Sequence, residues 1–382
     1  MIYLDNGATT NKKPLSVKIA ILKSSFRKFS ANPNRGGYRI SSSLASKIID
    51  IRAGLANYFN CESIENVIFT SGCTEALNLA ILGTRKRNGH VITTIYEHNS
   101  VLRPLHELKR TYNENLTILE PDKDGKISVE KFENSILDKT YMIACIFTSN
   151  VTGYTNEIEK IGEICKKHDI LFLVDCAQSA GHEKIDMQKM NIDFLSVAGH
   201  KGFYASTGIG ALLVSNKAKK VLKPIKFGGT GTQSDSPVQP IDFPDGFESG
   251  TTNTTGILSL GAGIKFVEKN QNKINKKIKN LSTYLVEKLK EIKNITIYPS
   301  NNPNSGVVSF NILNFPSNEV GNFLSEKFNI CIRTGLHCAP LVHKHYNTLE
   351  TGMVRISLCY FNKKRDINKL INALKVLTKQ VE

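Results

Sequence analysis

The sequence ILFLVDCAQSAGH (residues 170–182), followed by FLSVAGHKG (residues 194–202), decides the fold of this chain. Each stretch opens with an apolar run of strand length, and a more polar segment follows the run at once. Continuous apolar runs are typical of strands that are buried on both faces of a parallel sheet. Ligands bind beyond the carboxyl ends of such strands. Asp175 after the first run and Lys201 after the second are therefore the first candidates for a functional site.

Short apolar runs alternate with helical stretches over most of the chain. They occupy residues 67–69, 91–95, 116–119, 142–147, 170–174 and 194–197. This βαβα rhythm predicts an α/β fold, in which helices cover both faces of a mostly parallel sheet. Residues 227–246 are rich in Gly, Pro and Ser and predict a long loop.

The last third of the chain has a different pattern. Beyond Gly256 we expect two helices and later a closing amphipathic helix, with short strands between them at residues 307–312, 330–333 and 354–358. This pattern predicts a smaller α+β domain. The predicted division is a large domain, a small C-terminal domain and a joining N-terminal segment, at residues 15–256, 257–382 and 1–14 respectively.

The composition indicates a globular protein with a strongly basic surface. Of the 382 residues, 40% are hydrophobic and 22% are charged, and the formal net charge is +16. The lysines are spread along helices such as residues 273–293, where one face is apolar and the other basic. Because no basic block or nucleic-acid-binding motif occurs, we expect no nucleic-acid partner and favour attraction of an acidic protein.

The sequence predicts a cytoplasmic location. The N-terminus lacks the basic and apolar segments of a signal peptide, and no apolar run approaches the roughly 18 residues of a membrane span. The eight cysteines include no C-x-x-C pair. We therefore expect a reduced protein that does not bind membranes.

Asp175 and Lys201 become informative as a pair. Alone, an Asp after a strand is most often a helix cap, and a Lys is most often a solvated charge. Together they offer what pyridoxal 5′-phosphate (PLP) requires: a lysine for its aldehyde and a carboxylate that keeps its pyridine nitrogen protonated. Residues 71–75 (SGCTE) lie between a strand and a helix, where backbone N–H groups can form a phosphate cup. Plain N-capping explains that segment equally well.

Eight motifs occur in order along the chain. They are DNGATT (5–10), SGCTEALN (71–78), EHNS (97–100), TSNVTG (148–153), DCAQSAGH (175–182), GHKG (199–202), ESGTTN (248–253) and RTGLHCAP (333–340). Together they resemble the class V aminotransferase family of fold-type I PLP enzymes, and within it the cysteine desulfurases and selenocysteine lyases. The R-x-G-x-H-C-A segment is similar to the second of the two desulfurase groups. The resemblance implies the fold type I transferase architecture, a seven-stranded sheet in the large domain and a homodimer.

The resemblance also implies a role for each matching residue. The implied cofactor-binding residues are Lys201 at the aldehyde, Asp175 at the pyridinium, Gln178 at the ring hydroxyl, His98 over the ring, and Cys73, Thr74 and His200 at the phosphate cup. Thr251 would reach the phosphate of the neighbouring subunit. The expected ligands of the substrate carboxylate are Asn150, Arg333 and Arg355, since a guanidinium binds a carboxylate through two hydrogen bonds. Ala198 departs from the family, which commonly has a phosphate-binding serine there, so we expect weaker cofactor binding.

Cys338 separates a desulfurase from a plain aminotransferase. It lies in the Gly-containing segment 334–340, beside His337 and near Arg333, surroundings that favour a thiolate. The implied reaction converts L-cysteine to L-alanine, with His98 and Lys201 as proton carriers, and leaves a persulfide on Cys338 for a sulfur-acceptor protein. L-selenocysteine is the alternative substrate. We expect residues 334–344 to be mobile without ligand.

Other interpretations stay open at this point. One is a PLP aminotransferase or lyase without persulfide chemistry, and another is a non-catalytic sulfur-relay scaffold. A zinc site is suggested by a cluster in the sequence, namely His337, Cys338, His343 and His345. Its spacing does not fit a zinc site, so we expect no metal.

Overall fold

The computed structural model describes residues 1–33, 36–122 and 124–379. Its strands are β1 (Ile2–Tyr3), β2 (Val67–Thr70), β3 (His90–Thr94), β4 (Asn115–Leu119), β5 (Thr140–Ile146), β6 (Leu171–Asp175), β7 (Phe194–Ala198), β8 (Gly210–Val214), β9 (Ile295–Ile297), β10 (Val307–Ile312), β11 (Ile330–Cys331), β12 (Arg333–Gly335) and β13 (Met353–Ser357). Its α-helices are α1 (Leu15–Ser24), α2 (Arg39–Tyr58), α3 (Cys73–Gly83), α4 (Asn99–Tyr112), α5 (Val129–Asn134), α6 (Ile158–Lys167), α7 (Asn216–Lys219), α8 (Thr254–Lys290), α9 (Ser317–Phe328), α10 (Pro340–His345) and α11 (Lys364–Thr378).

A seven-stranded sheet forms the centre of the fold, in the order β2-β8-β7-β6-β5-β3-β4. The strands from β7 to β4 run parallel, whereas β8 is antiparallel to both of its neighbours. The prediction of a mostly parallel sheet is therefore confirmed. The sequence pattern missed β8 because its GALLV run follows β7 without an intervening helix, which breaks the βαβ rhythm.

The two faces of this sheet are buried under separate helical layers. Along β6, Phe172 and Val174 join the apolar cluster of α2, α6 and α8, while Leu171 and Leu173 join that of α3 and α4. Successive side chains of a strand point to opposite faces, so an uninterrupted apolar run supplies both clusters at once. The carboxyl ends of the parallel strands therefore meet on one edge of a rigid core.

A four-stranded antiparallel sheet, in the order β12-β13-β10-β9, forms the C-terminal part. Its apolar face packs with α9, α11 and the last turns of α8, through residues such as Leu285 and Phe310. The prediction of two helices beyond Gly256 was wrong, because α8 is one continuous helix of 37 residues. The division between residues 256 and 257 falls in its first turn and stays a prediction.

The strand predicted at residues 330–333 is also wrong in detail. The chain changes sheets at Ile332: β11 pairs in parallel with β1, whereas β12 pairs antiparallel with β13. Sequence pattern cannot reveal this change, because it does not show which strand each half pairs with. The N-terminal strand is thereby attached to the C-terminal part of the molecule.

The N-terminal segment also reaches the large sheet. The backbone N–H of Thr10 donates to the carbonyl oxygen of His200 at 3.1 Å, and Gly7 accepts from Nε2 of Gln178 at 3.0 Å. In the described part of the chain, no helix is long and apolar enough to cross a membrane.

The predicted long loop is observed, since residues 227–244, which the structure describes in full, contain neither helix nor strand. A buried ion pair anchors its end. Arg52 on α2 bonds both carboxylate oxygens of Glu248, at 2.7 and 2.9 Å, and Glu248 also accepts from the N–H of Phe69 at 2.6 Å. Both charged side chains are only 9% exposed. This pair holds the 248–253 segment against β2.

We expect Arg52→Met to destabilise the protein by about 3–5 kcal/mol, because it leaves the Glu248 carboxylate buried without its partner. Urea denaturation of the two proteins measures the difference. The matched control is Arg110→Met, which breaks an ion pair with Glu107 on the surface and should leave the transition unchanged. Equal behaviour of the two variants would contradict the assignment.

Candidate active site

Two loops at the carboxyl edge of the large sheet bring Asp175 and Lys201 together. Asp175 is the last residue of β6, and Lys201 follows β7. Gly202 lies so close to the carbonyl oxygen of Ala180 that a Cβ at this position would clash with it. The loop after β7 can pack on the loop after β6 only because residue 202 is glycine.

The Asp175 carboxylate is 2% exposed and is held by neutral donors. Its Oδ1 accepts the N–H of Ala177 at 2.8 Å and lies 3.3 Å from Sγ of Cys73. Burial, and next the Asp175 charge, raise the pKa of Cys73 well above its ordinary value, so this thiol is protonated and can donate. Ser196 lies 3.1 Å from the same sulfur. Oδ1 is thus occupied by neutral groups, and the negative charge is left to attract a cation.

A cavity of about 250 Å³ opens above this carboxylate. It brings together most of the residues that the sequence singled out, namely Cys73, Thr74, His98, Asn150, Asp175, Gln178, Ala198, His200 and Lys201. One wall is the start of α3, where no side chain caps the helix. Free N–H groups at a helix start favour an anion.

His98 forms another wall and is electrically neutral. It is the N-cap of α4, and its Nδ1 accepts the N–H of Ser100 at 3.1 Å. Burial is the main cause that lowers the pKa of His98 to about 4, although Asp175 acts in the opposite direction. Since Nδ1 accepts, the proton of the neutral ring lies on Nε2.

Lys201 is prepared to act as an amine. Burial lowers the pKa of Lys201, and the nearby positive charges of Arg355 and Arg333 act in the same direction. The negative charge of Asp175 opposes this shift. A lysine whose neutral form is favoured can serve as a nucleophile and as a base.

The expected carboxylate ligands lie beside the cavity. Arg355 on β13 is 2% exposed; its Nη2 pairs with Asp5 at 2.6 Å, and its Nη1 donates to the carbonyl oxygen of Asn150 at 2.9 Å. Among the described residues, Nε of Arg355 and Oδ1 of Asn150 have no hydrogen-bond partner. Arg333 is the direct cross-strand neighbour of Arg355.

Cys338 is exposed in a short turn between β12 and α10. Its carbonyl oxygen accepts the N–H of Asn99 at 2.7 Å, which places the turn directly beside His98. The sequence suggested that His337 helps to ionise this thiol. That expectation is wrong for the imidazole, because burial lowers the pKa of His337 so far that the ring is uncharged.

Thr251 is the one candidate that lies apart. It borders a separate depression with Glu248, Ser249 and Lys226, and it does not line the cavity of its own chain. In the described ranges no group of three or more His, Cys, Asp or Glu side chains is arranged to hold a metal ion.

The sequence profile of the aminotransferase class-V family matches residues 2–370. The chain belongs to the class V aminotransferase family. A probable cysteine desulfurase from Pyrococcus abyssi is 33% identical over 390 aligned positions, covering 100% of this chain and 95% of that protein. One from Borreliella burgdorferi is 32% identical, with coverage of 100% and 92%.

Solved structures confirm the fold expected of a class V aminotransferase. The apo structure of a cysteine desulfurase from Thermococcus onnurineus matches with a TM-score of 0.91 at 31% identity, over 99% of this chain and 95% of that one. A cysteine desulfurase from Escherichia coli, at 23% identity and a TM-score of 0.87 over 99% and 94%, supports the fold alone.

PLP is the cofactor of this family, and the cavity residues fit it. The buried Asp175 carboxylate suits a protonated pyridine nitrogen, and the uncapped start of α3 suits a phosphate. The Lys201 amine lines the same cavity. Ala198 also lines it, so the hydroxyl that the family commonly has there is missing.

Sequence reasoning assigned no role to three residues that organise the site. Ser100 bonds both Thr74 and His98, at 2.8 and 2.9 Å. Ser196 could have been found from β7, because alternation puts it on the same face as Ala198. Glu97 accepts bonds from Thr94 and from the N–H of Ile146 and so links the ends of β3 and β5. Burial raises the pKa of Glu97 to about 8.

We expect His182, in the loop after β6, to make the protein less stable in acid. Burial lowers the pKa of His182 to about 4, whereas an unfolded histidine titrates near 6.5. Between these pH values the unfolded state binds the extra proton, so stability falls as the pH is lowered from about 6.5 towards 4.

His182→Asn removes the titrating imidazole. The slope of the unfolding free energy against pH should therefore be smaller by about 1.4 kcal/mol per pH unit in that window. Urea denaturation of both proteins from pH 7 to pH 4.5 measures the two slopes. Parallel slopes would mean that His182 is already charged in the native protein.

Proposed function

We propose that the chain is a cysteine desulfurase, which converts L-cysteine to L-alanine and carries the released sulfur as a persulfide on Cys338. The observation that carries the proposal is the docking of the Cys338 turn. Its carbonyl bonds the N–H of Asn99, the residue after His98, so an exposed thiol lies beside the Lys201 cavity. The desulfurase relatives support the same activity.

Substrate binding is assigned to the Arg355 side of the cavity. The Arg355 guanidinium keeps Nε without a partner among the described residues, and Asn150 borders the cavity. Arg333 adds a second positive charge. A substrate carboxylate bound there would lie between the Lys201 cavity and the Cys338 turn, both of which Asn150 contacts.

Bound PLP supplies an electron sink for the electrons released at the substrate. The Lys201 amine, whose neutral form burial favours, takes the proton from the substrate Cα. The neutral ring of His98 carries its proton on Nε2 and can exchange it with the substrate. The buried Asp175 carboxylate would hold the protonated pyridine nitrogen of the cofactor.

Sulfur transfer is a nucleophilic displacement. The Cys338 thiolate attacks the substrate sulfur, a new S–S bond forms, and the bond between the substrate Cβ and sulfur breaks. Its electron pair stays on Cβ, which then takes up a proton and becomes the methyl group of alanine. The balance is L-cysteine plus one thiol to L-alanine plus one persulfide.

The proposal extends to the assembly and its location. Thr251 lies outside the cavity of its own chain, which agrees with a homodimer in which it reaches the cofactor phosphate of the neighbouring subunit. The net charge of +16 suits an acidic sulfur-acceptor protein. Cysteines that are all free suit the reduced cytoplasm.

Lys201→Ala should remove the near-visible absorption of the lysine-bound cofactor, together with alanine formation. Absorbance spectra of the purified proteins measure the first effect, and alanine assays measure the second. Lys223→Ala, which changes an exposed lysine beyond α7 that does not line the cavity, is the control. Retention of wild-type absorption by Lys201→Ala would place the cofactor on another residue.

Cys338→Ala tests the sulfur transfer itself. The variant should fold, bind PLP and give the spectral response to L-cysteine, because none of these steps needs a thiol. Alanine formation should nevertheless fall at least about 100-fold, since no nucleophile remains to accept the sulfur.

Mass spectrometry of wild-type protein after a brief exposure to L-cysteine should locate the extra sulfur on Cys338. Cys331→Ala, which removes a half-buried cysteine nearby, should act like the wild type. Wild-type alanine and sulfide release by Cys338→Ala would instead favour a lyase without persulfide chemistry.

A further inference from the structure

The Cys338 turn has an unfavourable backbone conformation. The N–H of Ala339 donates to the carbonyl oxygen of Leu336 at 3.0 Å, and the two central residues, His337 and Cys338, have φ of 51° and 58°. Positive φ at both central positions is the mark of a type I′ turn, which favours asparagine and glycine. Neither position is glycine here. The turn must therefore be held by contacts from outside.

Two of these contacts come from segments that follow strands of the large sheet, the start of α4 and the turn after β5. The N–H of Asn99 donates to the Cys338 carbonyl at 2.7 Å, and Nδ2 of Asn150 donates to the His337 carbonyl at 2.7 Å. Both are hydrogen bonds to main-chain oxygens. They fix the position of the turn, but they do not contact either of its central side chains.

The third contact comes from α10 and is made with the His337 ring. His343 is 0% exposed, and its Nε2 lies 3.4 Å from Nδ1 of His337. The two rings are nearly parallel, at 15°, with centroids 5.6 Å apart. On its other side, Nδ1 of His343 lies 2.9 Å from Oγ1 of Thr348.

This chain of hydrogen bonds needs two neutral imidazoles. Burial is the main cause that lowers the pKa of both rings, to about 4 for His343 and further for His337. One ring can then donate and the other accept, whereas two imidazolium ions would repel each other. His343 does not line the cofactor cavity. Within the described residues it reaches Cys338 through the turn, by way of the His337 ring and the Leu336 backbone.

We propose that His343 is a positioning residue, which holds the His337–Cys338 turn in its left-handed conformation so that the thiol faces the substrate sulfur. The proposal rests on the proposed function for its effect on turnover, but its effect on the turn is independent of any reaction. Thr348 orients His343, and His337 transmits the restraint.

His343→Leu replaces the imidazole with an apolar side chain of similar length and removes both hydrogen bonds. We expect persulfide formation on Cys338 in a single turnover to slow by about 10- to 100-fold, the usual effect of a misplaced reacting group. The L-cysteine concentration that gives half of the cofactor's spectral response should stay unchanged. His343→Gln keeps a donor and an acceptor and should restore most of the rate.

Amide hydrogen exchange of the holoenzyme, without substrate, reads the turn directly. The N–H of Ala339 should exchange faster in His343→Leu and at the wild-type rate in His343→Gln. The matched control is His345→Gln on the same helix, which should match the wild type in every measurement. Should His343→Leu not fold, Thr348→Val takes its place, with the same changes expected in smaller degree.

Two outcomes would overturn the proposal. Wild-type exchange and wild-type persulfide formation in His343→Leu would remove any link to Cys338. Alternatively, His343→Leu could lose cofactor binding, substrate response and sulfur transfer equally, with no recovery in His343→Gln. That result would mean that His343 is an ordinary core residue. If Cys338→Ala instead proves fully active, the proposed function fails while the exchange measurement still tests the turn.

Discussion

The burial of one carboxylate, Asp175, is the constraint on which the rest of the site depends. A negative charge at 2% exposure is tolerable only where fixed donors and a nearby cation compensate it. Ala177 and Cys73 supply the donors, and the cavity above is where a cation belongs. The same burial favours neutral forms of Lys201 and His98. The neutral states of two groups, Lys201 and His98, thus follow from their depth below the surface.

The sheet makes this depth possible. Parallel strands covered on both faces bring their carboxyl ends to one edge, where loops carry polar groups over an apolar floor. Small residues then let these loops lie on one another, as Gly202 does against Ala180. The antiparallel sheet contributes Arg355 and the Cys338 turn from the opposite side. The reacting groups therefore come from both sheets of the molecule, and Ala339 and Val342 next to Cys338 pack into the core of the large sheet.

The sequence predicted what local pattern and motifs can carry. The apolar runs gave six strands of the large sheet, and the family resemblance named the residues that the cavity brings together. The sequence pattern missed β8, because no helix separates this antiparallel strand from β7. It also predicted two helices where α8 is one. The sequence also could not predict the restraint on Cys338. His343 attracted notice only as a possible zinc ligand, because its contact with His337 depends on a left-handed turn that residue identities do not reveal.

The pairing of β1 with β11 has a consequence for how the protein is made. Ile2 is synthesised well before its partner Ile330. Asp5 likewise forms its ion pair with Arg355, which is synthesised much later. Contacts that span almost the whole chain form late, after local elements have organised. Residues 2–5 must therefore stay unpaired until Ile330 and Arg355 have been synthesised, and the substrate side of the pocket is completed only after that.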